Sequence, residues 1–269
     1  MTTTLNDFII EYPNALSDEL CDRLISKFED NIESTYPGQT GTGLNAFVDE
    51  DKREKISTDL FISTMESFSQ EDSELCTSLG KYLMEYHGVM SGISRTFAQV
   101  GEIIDKGFQI QKTEVGGKYD WHTDEFVGAI FPTIRRTKPT AGGMIEAYAM
   151  YERRMYTYIF YLNDQETDFE GGNTEFITGF GEDEIRVVKP EKGKLVMFPA
   201  NAMCTHRGAP VTSGKKYLAT GWAANIIFIT GGDTNMVSDE INGRYNSFMD
   251  NLNESITSSR EKWFILDVF

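Results

Sequence analysis

The tightest constraint on the fold is a set of side chains related in chemistry but distant in sequence. His122 and Asp124 stand as H-x-D in GGKYDWHTDE, His206 follows in CTHRG, and Lys216 in GAPVTSGKKYLATGW. Two imidazoles and one carboxylate on one face of a metal leave open positions, an arrangement that suits Fe(II). In a strand, residues i and i+2 point to the same face. Tyr119, Trp121 and Thr123 then alternate with Asp120, His122 and Asp124, so His122 and Asp124 are expected to share a face. The third ligand must come from a strand near in space and far in sequence. LVMFPANAMCTHRG reads as a strand, a turn and a second short strand, which lets His206 fill that place. Alone, H-x-D also suits a polar strand face with a solvated aspartate. The later histidine, and Lys216 in an apolar-flanked strand, favour a metal site.

The rest of the chain sorts into helices first and strands after. Ser17 to Asp30 reads as an amphipathic helix with Leu20, Leu24, Ile25 and Phe28 on one face and Ser17 as its cap. Ser34 to Lys55 reads as a polar loop, and Thr58 to Phe68 and Glu71 to Tyr86 as further helices. His87, the remaining histidine, is expected at a helix end, where the dipole favours it, and not as a ligand. From Phe108 onward strands dominate, with Thr157 to Leu162, Ile185 to Val188, Lys194 to Phe198 and Tyr217 to Ile229 the clearest.

Several ordered segments carry a family resemblance. Phe108 to Asp124, FQIQKTEVGGKYDWHTD, resembles a strand, Gly-Gly turn and H-x-D. RMYTYIFYLN, from Arg154 to Asn163, resembles a strand ending in Tyr-Leu-Asn, and EGGNTEF a Gly-Gly-x-Thr segment. His206 to Trp222 resembles a distal histidine, its Gly and Pro, a Gly-Lys pair and a trailing tryptophan. FIIEYPNALSDELCDRLISKFED resembles an opening strand and helix. Together they are similar to the 2-oxoglutarate- and Fe(II)-dependent dioxygenases, in particular the prolyl 4-hydroxylase branch. Ordered motifs in series are more specific than any one of them.

The resemblance implies a mainly β fold with flanking helices, a double-stranded β-helix (jelly-roll) core buttressed by N-terminal α-helices. It implies one domain, with a helical support region 1–107, a core 108–230 with an insertion 125–153, and a helical tail 231–269. His122, Asp124 and His206 would hold Fe(II). 2-Oxoglutarate would take two metal positions and O2 the third, with ascorbate as reductant. A C–H bond would be hydroxylated, with release of succinate and CO2. Asp124 argues against a halogenase, a class that lacks this carboxylate. Lys216 would pair with the far carboxylate of 2-oxoglutarate, since an inward lysine in an apolar strand calls for an anion. Spacing favours Lys216 over Lys215. Tyr161 is either a second donor to that carboxylate or an ordinary core aromatic. Trp222 either walls the pocket or packs in the core. Many prolyl hydroxylases carry tyrosine where this chain has Thr113, whose shorter side chain puts a contact to the carboxylate in question. Arg154 and Tyr119 are candidate substrate contacts. The substrate would be a prolyl residue in a peptide or protein; a free amino acid or other small molecule, or a metal- or ligand-binding barrel without turnover, are the alternatives.

Two segments stay open. Glu125 to Arg153 leaves just after H-x-D and holds IRRTKPTAGG, whose Arg135 and Arg136 fit a substrate lid or a surface hairpin. The tail ends in RYNSFMDNLNESI and the apolar WFILDVF, which should pack on the barrel or on a second subunit of a homodimer.

Composition sets the outer bounds. With 269 residues and 40% hydrophobic content the chain can bury one large core. A net charge of −17 and a pI near 4.6 disfavour nucleic acid and acidic membranes. Cys21, Cys76 and Cys204 are odd in number and scattered, as expected of free thiols in a reducing, cytoplasmic setting. No signal peptide and no window of membrane-helix length is evident.

Overall fold

Met155 to Asn163 is buried at every position. A strand without an exposed face must lie inside a sheet covered on both sides. The computed structural model of the chain describes residues 4–40, 54–93, 103–134, 147–179 and 184–231, with 127–134, 147–152 and 226–231 as backbone alone. In chain order the elements are β1 (Ile10–Tyr12), α1 (Asp18–Asp30), β2 (Tyr36–Pro37), β3 (Lys55–Ile56), β4 (Thr58–Phe61) and α2 (Ser69–Ile93). Then come β5 (Ile103–Asp105), β6 (Gln109–Thr113), β7 (Lys118–His122), β8 (Val127–Ile134), β9 (Ala147–Tyr161) and β10 (Phe169–Gly171). The remaining strands are β11 (Thr174–Ile177), β12 (Ile185–Val188), β13 (Leu195–Pro199), β14 (His206–Gly208), β15 (Val211–Gly214) and β16 (Lys216–Gly231).

The larger sheet runs β1-β13-β9-β16-β6-β4-β2, with β5 on β16 and β8 on β9; the smaller runs β12-β11-β14-β7-β3. Alternation along β9 divides its side chains between two cores. Tyr156, Tyr158 and Phe160 face the helices, against Leu24 and Phe28 of α1 and Leu79, Leu83 and Tyr86 of α2. Ile159 and Tyr161 face the smaller sheet and meet Phe176 of β11, Val188 of β12 and Phe198 of β13. The result is the expected double-stranded β-helix with helices on its outer side. Ser17 accepts from the Leu20 N–H at 3.2 Å and so caps α1. Gly221 sits where a Cβ would lie 2.3 Å from both the Gly107 carbonyl oxygen and the Tyr158 hydroxyl, so only glycine lets β16 pack so closely there.

Two local expectations are overturned. Thr58 to Phe68 is not a helix: Thr58–Phe61 is β4, paired with both β6 and β2, and only Glu66–Phe68 makes a 3-10 turn. Cross-strand backbone bonds far from it in sequence outweigh its weak helical period. His87 is not at a helix end, because α2 continues to Ile93. It lies buried, with Nδ1 2.8 Å from the Tyr156 hydroxyl, and burial holds its imidazolium below the ordinary value. Within the insertion, β8 pairs antiparallel with the first half of β9 and lengthens the β9–β16 ribbon, an arrangement in line with the hairpin alternative. Arg135 and Arg136, and the tail beyond residue 231, lie outside the described residues. Cys21, Cys76 and Cys204 are buried and not in disulfides, and the Cys76 thiol donates to Asp105 Oδ2 at 3.6 Å.

Candidate metal and cosubstrate site

His122 ends β7 and His206 begins β14, and the two are direct cross-strand partners. Their ring centroids are therefore only 4.2 Å apart. Asp124 does not extend the strand. It lies two residues beyond the end of β7 and turns inward, where its Oδ2 accepts from the Thr157 hydroxyl of β9 at 2.7 Å. His122 Nε2 is 3.8 Å from Asp124 Oδ1 and His206 Nε2 is 3.6 Å from Oδ2, too long for hydrogen bonds. One ligand atom from each residue lies within 4.8 Å of the others, around a small space at the rim between the sheets.

The tautomers follow from the backbone. His122 Nδ1 is 2.7 Å from the Asp120 carbonyl and His206 Nδ1 is 3.0 Å from the Cys204 carbonyl. A carbonyl only accepts, so both Nδ1 atoms carry hydrogen and both Nε2 lone pairs face the cluster. Burial, with His206 adding to it, pushes the His122 imidazolium down to about 4, so that ring is neutral at neutral pH. Burial alone would raise the Asp124 carboxyl, but the imidazoles of His206 and His122, the Thr157 hydroxyl and Arg154 hold it below its usual value. Two neutral nitrogens and a carboxylate are the donors Fe(II) takes, so the residues present fit that ion.

β7 carries one residue too many for its partner. His206 opposes His122, yet Gly208 opposes Tyr119, so between these pairs one residue of β14 faces two of β7. This β-bulge reverses the parity read from the sequence at Tyr119 and leaves it intact at Trp121. Tyr119 lands on the His122 side and stacks on that ring at 3.5 Å and 14°. Trp121 is left on the outer face under the Arg207 guanidinium, 4.6 Å from its ring centroid.

Lys216 opens β16 opposite Thr113 of β6 and is 4% exposed. Its Nζ donates to the Gly172 carbonyl, and burial pushes its ammonium down to about 7. Among the described residues no carboxylate pairs with it, so the pocket is short of the negative charge that an anion would bring. Lys215 points the other way, half exposed and 3.5 Å from Glu114. The Tyr161 hydroxyl donates to Thr174 Oγ1 at 2.7 Å, and the Tyr161 ring lies 5.5 Å from Lys216 Nζ.

A cleft of about 330 Å³ joins the parts: His122, Asp124, His206, Lys216, Thr113 and Thr174 line its inner end, and Tyr119, Arg154 and Trp222 border it too. Tyr161 does not line it; Thr174 stands between. The Arg154 guanidinium is 3.6 Å from the Trp222 ring centroid and 5.1 Å from that of Phe126. The sequence reading missed Thr174, Thr157, Lys55, Gln109 and Gln111, which also line the cleft. Only Thr174 had a signal, its place in the Gly-Gly-x-Thr segment; the others depend on strand neighbours that pattern alone does not reveal.

Residues 108–224 match the family described as the 2OG-Fe(II) oxygenase superfamily. The chain is 26% identical over 233 residues to the probable prolyl 4-hydroxylase 9 of Arabidopsis thaliana, covering 79% of this chain and 67% of that protein. Its fold is similar to that of a Trichoplax adhaerens prolyl hydroxylase solved with a hypoxia inducible factor oxygen degradation domain peptide fragment. There the TM-score is 0.51 at 17% identity, over 81% of this chain and 84% of the other. A Pseudomonas putida prolyl-4-hydroxylase gives a TM-score of 0.49 at 16% identity, over 82% and 96%. A double-stranded β-helix, two histidines and an aspartate at its rim and a buried lysine beside them accompany this match: the region 108–224 carries the 2OG-Fe(II) oxygenase superfamily pattern, and the chain is similar to prolyl 4-hydroxylases.

Proposed function

We propose that this protein is an Fe(II)- and 2-oxoglutarate-dependent dioxygenase that hydroxylates a C–H bond of a prolyl residue in a peptide or protein. The observation that carries the reading is the convergence of His122, Asp124 and His206, with both Nδ1 atoms committed to backbone carbonyls. These three residues would hold Fe(II), which with 2-oxoglutarate and O2 supplies oxidative decarboxylation coupled to hydroxylation and releases succinate and CO2. Lys216 binds the far carboxylate of the cosubstrate, and Thr113 and Thr174 border the same end of the cleft. Thr157 keeps one Asp124 oxygen engaged and so orients the other. Arg154, stacked on Trp222, and Tyr119 border the part of the cleft left for substrate.

A polypeptide substrate is supported by the printed identity of the relatives, one of them solved with a peptide fragment. The cleft is also lined by Gln39 and Gln111, side chains able to bond an extended backbone. A free amino acid is the second reading. Ascorbate as reductant, a cytoplasmic setting, a single domain and a homodimer formed through the tail belong to the same proposal. The test is succinate release with Fe(II), 2-oxoglutarate and ascorbate over a panel of proline-containing peptides and free amino acids, with mass spectrometry of the product. Succinate and a one-oxygen mass gain on a peptide support the reading. Gain only on a free amino acid moves the substrate class, and no gain with any of them sinks it.

A further inference from the structure

A hydrogen bond at Nδ1 fixes one point of an imidazole and leaves the ring free to rock about that point. What sets the plane of His122 is therefore a separate question from what sets its tautomer. Tyr119 lies flat against that ring at 3.5 Å and 14°, a closer and more parallel contact than that between the two histidines. It is there only because of the bulge in β7. The same bulge supplies the Asp120 carbonyl that His122 Nδ1 uses, and the Asp120 N–H is pinned to the Glu54 carbonyl at 2.7 Å.

Tyr119 is itself held from the neighbouring edge strand. Lys55 of β3 is its cross-strand partner, with Nζ 5.5 Å from the Tyr119 ring centroid. Lys55 is buried and bonds Asp59 at 2.6 Å. The fully buried Asp59 also accepts from Ser57 at 2.7 Å and from Gln109 at 2.6 Å. Such a satisfied charge pair does not drift, and an ammonium near an aromatic face is attracted to it.

We infer that Tyr119, braced by the Lys55–Asp59 pair, is a positioning residue that sets the plane of the His122 ring as a metal ligand. The inference rests on the proposed Fe(II) site and assigns Tyr119 a task in the absence of substrate. A residue that only touched substrate would leave metal binding in the free protein unchanged.

The test is a Co(II) titration of the metal-free full chain, without substrate or 2-oxoglutarate, read by calorimetry and by the visible d–d bands. His122→Ala is the control. Tyr119→Phe keeps the ring and should keep the affinity and the bands. Tyr119→Leu should weaken Co(II) binding about 10- to 100-fold, the usual range for residues that orient a ligating histidine, and should shift the bands. The Lys55→Met/Asp59→Asn double variant keeps Tyr119, leaves neither charge buried alone, and should shift the bands in the same direction with a smaller loss. Wild-type affinity and bands in both Tyr119→Leu and the double variant overturn the inference and leave Tyr119 to substrate alone. A wild-type chain that takes up no Co(II), or a His122→Ala variant that binds as tightly, overturns the metal site itself and this inference with it.

Discussion

Replacing Lys216 with Met should weaken 2-oxoglutarate binding while leaving the free protein no less stable. Lys216 is 4% exposed, and its ammonium is brought by burial from 10.5 to about 7. Folding therefore disfavours its charged form. The residue's contribution to stability is greatest at high pH, falls as pH drops from about 10 toward 7, and levels off below that. At pH 6 a shift of that size corresponds to a penalty on the order of 5 kcal/mol, at about 1.4 kcal/mol per pH unit. Against it stands the loss of one donor to the Gly172 carbonyl, about 1–3 kcal/mol. Lys216→Met should thus melt at or above the wild-type temperature at pH 6. A bound carboxylate reverses the preference of the site. A hydrogen bond to a charged partner contributes about 1.5–3 kcal/mol, so the Kd for 2-oxoglutarate should rise about 10- to 150-fold. Calorimetry on the anaerobic Mn(II)-loaded protein measures this directly. Wild-type affinity should be flat below pH 7, where the ammonium is already present, and should fall above it, with proton uptake visible as a dependence on buffer. Lys215→Met is the control, since its half-exposed contact with Glu114 contributes little. An unchanged Kd in Lys216→Met, or a large loss of stability at pH 6, would refute the assignment of Lys216 to an anion.

The other expectations concern the metal, the substrate side and the core. Fe(II) or Mn(II) at a hundredfold excess over its Kd should stabilise the fold by about 2.7 kcal/mol, raising the melting temperature, and EDTA should reverse the rise; Asp124→Ala should show neither effect and no coupled hydroxylation. Arg154→Ala removes a stacking contact of about 0.5–2 kcal/mol with Trp222 and should reduce turnover of the true substrate more than uncoupled 2-oxoglutarate decarboxylation; equal loss of both activities would place Arg154 in the fold or the cosubstrate site. Gly221→Ala would drive a methyl against the Gly107 carbonyl and the Tyr158 hydroxyl and should cost at least about 1–3 kcal/mol, seen as a lower midpoint in urea with an unchanged slope.

The chemistry of the candidate site could be read from the chain because it is carried by side-chain types. With three histidines in the chain only His87 competes with His122 and His206, and alternation along an apolar strand distinguishes Lys216 from Lys215. The two-sheet core was legible for a similar reason: MYTYIFYLN and LVMFP are apolar on both parities and fit only a strand covered on both sides. What tertiary structure decided is where alternation breaks and which strands are neighbours. The bulge in β7 exists because β14 offers one residue between two pairs where β7 has two, and that count belongs to the partner strand. It turns Tyr119 onto His122, the reverse of the parity read locally, and leaves Trp121 on the opposite face, as that parity had it. Asp124 is directed inward by Thr157, thirty-three positions away in sequence, and not by the strand that carries His122. Thr58–Phe61 is a strand because β6 satisfies its backbone, and β8 is one because β9 does. A side chain's chemistry travels with its own residue, whereas the direction it faces depends on backbone hydrogen bonds made by residues far along the chain.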